Sequence, residues 1–255
     1  MIKRRHSRLA FTLVEMLLAV SMTVLVVVML GNMFCSLTST SLKANQRIDA
    51  FRDARSALSM IKRDMANLVR AVPTAYFALA DQYSDPNTAT TKNRQIYGLT
   101  AIKSGVGDLC AVGYYCYWDS ATHAYSLHRY FRTSTDTFGL LQSNGAGIYA
   151  PVTKLYTPGI TDETVTAYAW NLQITAYNTD GSVNSTYPLI IDPSNPAVSA
   201  PAVLEISFDA ISPQAAQAML SVSSAPNDWM DSTTTNYKQL LAPHMYGFRT
   251  RVNLQ

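Results

Sequence analysis

The sequence predicts an α+β protein: a long N-terminal helix, membrane-spanning in its first half, packed in its second half against a mostly antiparallel β-sheet head. Three observations lead there. An apolar stretch over residues 11–34 carries a single charge, Glu15. Residues 35–72 contain neither proline nor glycine and repeat apolar side chains at helical spacing. Beyond about residue 95, alternating patterns and turn signals take over. The chain thus divides into a basic leader over 1–10, a membrane helix over 11–34, its amphipathic continuation over 35–72 and a β-rich head over 73–255. A length of 255 residues with 48% hydrophobic and 15% charged suits one domain plus an appendage.

The leader carries Lys3, Arg4, Arg5 and Arg8, and without these four charges the formal +3 becomes −1. No net basic excess remains to hold phosphate by counterion release, so no nucleic-acid partner is expected. At about 1.5 Å per residue, the stretch over 11–34 is long enough to cross a hydrocarbon core of about 30 Å. Its cationic flank lies ahead of it, which keeps the first ten residues in the cytoplasm and sends the head outward. An ordinary secretory signal has a shorter apolar run and a small-x-small site after it, unlike the sequence around Gly31 and Asn32. A plain anchor leaves Glu15 unexplained, since a carboxylate within such a segment costs about 2.5–3.5 kcal/mol on insertion scales. On the residues alone, Glu15 snorkels to the cytoplasmic interface.

The run Ala10-Phe11-Thr12-Leu13-Val14-Glu15 resembles the cleavage and methylation site of type IV pilins and pseudopilins. The resemblance implies that a prepilin peptidase cuts between Ala10 and Phe11 and that Phe11 becomes the N-methylated terminus. It also makes Glu15 the acid that neutralises a neighbouring subunit's amino terminus during assembly. Ala10 stands where the family usually has glycine. The implied fold is pilin-like. The implied function is that of a minor structural subunit of a type II secretion-like or type IV pilus-like fibre, with no enzymatic activity and no cofactor. Its partners would be other pilin or pseudopilin subunits, the prepilin peptidase and inner-membrane lipid, with the head in the periplasm before assembly. The alternative within the family is a surface-exposed adhesive or substrate-binding pilin.

Past the membrane, Leu37, Ala44, Ile48, Phe51, Leu58, Ile61, Met65, Leu68 and Val72 define an apolar stripe expected to pack under the sheet. Arg52, Asp53, Arg55, Lys62, Arg63 and Asp64 are expected mostly on other faces. Pro73 should end the helix at about Val72, and Gly31 and residues 36–41 are the expected places for a kink. Residues 54–65 also resemble the J-type minor pseudopilin.

In the head, residues 74–95 are expected to form a surface loop. Residues 108–118 and 125–131 read as a hairpin around 119–123. Residues 164–178 read as one strand ending in a turn over 179–182, and 202–211 as a strand with one apolar face. Ser212 and Pro213 open a short helix through about residue 222. A brief helix over 236–242 and a strand over 244–254 close the chain. The 108–132 hairpin and the 202–211 strand further resemble the pilin-type Verru_Chthon cassette protein C family.

No catalytic constellation is visible. His6, His123, His128 and His244 have no partner at metal-ligand spacing, and phosphate loops and nucleophile elbows are missing. Cys110 and Cys116 lie about 20 Å apart if they share a strand, and pair only if a tight turn forms near Gly113. Cys35 reads as filler. Asp228 and Asp231 are the weak calcium candidates against a solvated loop, because two acids do not complete a site. The 15 tyrosines read as strand packing or as an adhesive face.

Overall fold

A computed structural model describes residues 12–69, 77–81, 93–102, 107–144, 162–186, 188–191 and 200–254. Ala10 and Phe11 lie outside the described residues, as does most of the 74–95 segment. Helix α1 runs Leu13–Ala66. The chain forms two units, Met1–Arg47 and Ile48–Gln255.

In the first unit the described side chains of α1 are exposed, from Leu13 through Leu42. By length and composition this helix can cross a membrane. Its hydroxyls bond back along the helix: Thr23 Oγ1 donates to Ala19 O at 2.7 Å, Thr38 Oγ1 to Phe34 O at 2.8 Å and Thr40 Oγ1 to Ser36 O at 2.9 Å. Each of these hydroxyls therefore has a local partner, as an apolar solvent requires. The helix continues through Gly31 and residues 36–41, so the expected loosening there is not seen.

In the second unit, the helix buries Ala50, Ala54, Ala57, Ile61, Asp64 and Met65. The expected stripe holds at Ile61, Met65 and Leu68 and is displaced ahead of them. Ile48 and Phe51 are exposed, Leu58 is half-buried, and Leu37 and Ala44 are exposed in the first unit. Ala50, Ala54 and Ala57 take the earlier buried positions, and the larger Ile61 and Met65 fill those nearer the helix end. The helix also stops at Ala66 rather than Val72. Leu68 leaves it to bridge Thr100, and Val69 N donates to Leu99 O at 2.8 Å. Thr100 Oγ1 contacts the carbonyls of Asp64 at 3.2 Å and Asn67 at 3.3 Å, satisfying helix-end acceptors that another turn would have used.

The strands are β1 (Phe77–Asp81), β2 (Arg94–Thr100), β3 (Cys110–Asp119), β4 (Ala124–Arg132), β5 (Glu163–Ala167), β6 (Ala169–Tyr177), β7 (Leu189–Ile191), β8 (Val203–Ala210) and β9 (Tyr246–Asn253). A six-stranded sheet has the order β5-β4-β3-β2-β1-β7, and a three-stranded sheet the order β6-β8-β9. Their pairings are antiparallel. The β3–β4 hairpin, β8 and β9 fall where expected. So does the helix Pro213–Leu220, capped by Ser212 Oγ, which accepts from Ala215 N at 3.3 Å.

Two expectations need correction, and the open question of a Cys110–Cys116 bridge is decided. β1 lies inside the segment read as a loop, its Phe77, Ala78 and Leu79 buried between β2 and β7. The strand read over 164–178 is two strands in different sheets, broken at Tyr168, where φ is 55°. Alternation survives such a break and hides it. Cys110 and Cys116 both lie on β3, buried and unpaired with each other, because Gly113 sits within the strand rather than at a turn. A Cβ at Gly113 would collide with the ring of Tyr97, which explains the glycine. Between the sheets, Trp170 and Trp229 meet edge to face at 5.2 Å.

Candidate functional site

At the start of α1, Thr12 and Glu15 form a reciprocal cap. Thr12 N and Thr12 Oγ1 both donate to Glu15 Oε2 at 3.0 Å, and Glu15 N donates to Thr12 Oγ1 at 3.3 Å. The spacing is that of a capping box, which orients two otherwise unsatisfied donors. Glu15 is therefore held against its own helix terminus and given a fixed direction. Reading Glu15 alone misses this, although Thr-x-x-Glu is its signal.

The second constellation centres on Asp64, placed by the sequence among exposed charges but fully buried. Its Oδ2 accepts from Tyr114 Oη on β3 at 2.7 Å and from Arg129 Nε on β4 at 2.8 Å. Arg129 also reaches Glu163 Oε2 on β5 at 3.3 Å, and Arg63 lies 3.4 Å from Asp64 Oδ1. Burial and the Asp64 carboxylate raise the Tyr114 phenol above its ordinary range, so it remains a donor. A charge-assisted network thus joins the last turn of α1 to three strands. Its spacing from Ala57, Ile61 and Leu68 is the sequence signal for burial.

On the opposite face of the hairpin, Asp162 accepts from Tyr115 Oη at 2.8 Å and from Arg132 at 2.9 Å. His128 stacks on Tyr115 at 5.6 Å, and its Nε2 lies 2.7 Å from Ser126 Oγ. Burial holds His128 below its ordinary pKa, against the opposing pull of Asp162. The neighbouring Tyr130 hydroxyl is pushed up to about 12 by burial.

Asp228 and Asp231 are not brought together as ligands. Asp228 accepts from Ser223 Oγ and, at 3.0 Å, from Asn236. Asp231 accepts from Thr233 N at 2.8 Å and Thr233 Oγ1 at 2.7 Å, contacts that lower its pKa. Their oxygens serve local turns. Among the described residues no group of three His, Cys, Asp or Glu side chains is placed to hold a metal ion.

The sequence matches no family model and no curated protein. Geometry and chemistry therefore carry the functional reading. Of the tyrosines, Tyr97, Tyr114, Tyr115, Tyr125 and Tyr130 are buried in strands, while Tyr117 is 39% exposed.

Proposed function

We propose that the chain is a minor pilin-like, pseudopilin subunit of a type II secretion-like or type IV pilus-like fibre. In this reading a prepilin peptidase cuts between Ala10 and Phe11, and the Phe11 amine is methylated. The apolar part of α1 anchors the subunit in the inner membrane, with the head in the periplasm, and later packs against other subunits. The supporting observation is the cleavage-site resemblance followed directly by a helix that can cross a membrane, in a chain that also carries an antiparallel sheet.

Each part has a chemical task. Cutting ahead of the apolar run leaves that run on the mature chain. The new amine is a cation, and the Glu15 carboxylate of an adjacent subunit is its complement. A charge pair in a low-dielectric core selects position strongly, because an unpaired ion there is costly. Thr12 supports the pairing by fixing Glu15 at the helix terminus.

Mass spectrometry of the mature chain is expected to find N-methylated Phe11 at its start. Glu15→Ala is expected to be trimmed normally but incorporated poorly into fibres. A mature chain beginning elsewhere, or wild-type incorporation of the variant, would end the respective assignments.

A further inference from the structure

Strand β4 sets Ser126 and His128 two residues apart, a spacing that places both side chains on one face of the sheet. Ser126 Oγ lies 2.7 Å from His128 Nε2, and the backbone of Asp162 hydrogen-bonds the same ring. The ring stacks on Tyr115, directly across on β3, at 5.6 Å and meets the Tyr117 ring edge-on at 5.6 Å, so its plane is fixed. Asp162 is itself held, its carboxylate 1% exposed and accepting from Tyr115 Oη and Arg132 Nη1. A hydroxyl, an imidazole within hydrogen-bond reach and a third group that orients the imidazole are the parts of an activated nucleophile.

Ser126 is open to a reactant. Its cross-strand neighbours are Tyr117 on β3, 39% exposed, and the exposed Ala167 on β5. Burial keeps His128 neutral near pH 7, and the ring donates to the Asp162 backbone, which leaves Nε2 to accept from the Ser126 hydroxyl. The Asp162 and Asp119 carboxylates act on the ring from nearby. A phosphoryl group on Ser126 would add about two negative charges beside them, whereas an acyl group adds none and suits the apolar ring of Tyr117.

We infer that Ser126 is an acyl acceptor, esterified by a thioester donor with His128 as the base. The bond from Ser126 Oγ to the acyl carbon forms, and the donor's carbon–sulfur bond breaks. The Ser126 proton passes through His128 Nε2 to the departing sulfur, and no electrons are gained or lost. The trio supplies a nucleophile and a base, so the activation sits in the donor, as it does in a thioester. The assignment is independent of the fibre reading.

The test treats the full chain in detergent with S-acetyl-N-acetylcysteamine, a small acetyl thioester, and follows acetylation by peptide mass spectrometry. Ser126 should acetylate about 100-fold faster than the exposed Ser221, and His128→Gln should remove that advantage. Ser126→Ala should lose the adduct. In the unaltered chain the rate should be level above about pH 7 and fall in acid as His128 protonates, since burial sets its pKa below 6.5. An unassisted hydroxyl would instead gain about tenfold per pH unit. Acetylation of Ser126 no faster than that of Ser221, or a rate that climbs steadily with pH, would overturn the inference. The pH profile of the unaltered chain decides the matter even where His128→Gln fails to fold.

Discussion

At the scale of the residue, Asp64 shows how one acid can join a helix to a sheet. Its carboxylate is fully buried, yet each oxygen has a donor or a cation nearby. Removing one partner of such a network exposes the cost of the others. Asp64→Ala would leave Arg129, 11% exposed, without its main partner and orphan the Tyr114 hydroxyl. The expected loss is about 3–5 kcal/mol, read by urea unfolding of the detergent-solubilised chain. Asp64→Asn keeps an acceptor for Tyr114 and should cost less. The sequence carried the information needed to bury Asp64, since it continues the line of Ala57 and Ile61. Polarity pointed the other way, and no sequence rule reveals that Tyr114 and Arg129 will arrive from distant strands.

At the scale of the element, α1 buries Ala54 and Ala57 together with Ile61 and Met65 in the core of the head. Ala54 and Ala57 are fully buried, and no large side chain intervenes at those positions. Ala57→Leu should therefore overpack the contact and destabilise the head by about 1–3 kcal/mol. Ser59→Leu, on an exposed position of the same helix, should change stability by less than about 0.5 kcal/mol. Comparing their thermal midpoints checks the face assignment. Elements with strong local grammar were legible: the β3–β4 hairpin, the alternating β8, and the helix opened by Ser212 and Pro213. The end of α1 was not. Pro73 marks where a helix must stop, whereas the actual stop is set by Thr100, a residue distant in sequence that bonds the final carbonyls. The break at Tyr168 was equally hidden, because both flanking strands keep the same apolar rhythm.

At the scale of the whole molecule, the main buried cluster draws, among the described residues, on those from Ala54 onward. A fragment beginning at Ile48 is expected to stay soluble without detergent and unfold in one transition. Circular dichroism and calorimetry that report separate transitions would contradict this. The fold class was readable because its two halves use different periodicities, 3.6 and 2. The candidate site was readable only at Glu15; the environment of Asp64 arises from tertiary placement.

The borders of the two sheets have a further consequence. β5 has an extra residue, Val165, between its pairings with Leu127 and His128, and β6 is distorted around Asn171. β7 spans three residues next to Pro188, and β9 projects Arg249 and Arg251. Each is a recognised obstacle to strand-by-strand growth. Crowded copies of this head are thereby discouraged from zipping into amyloid-like ribbons.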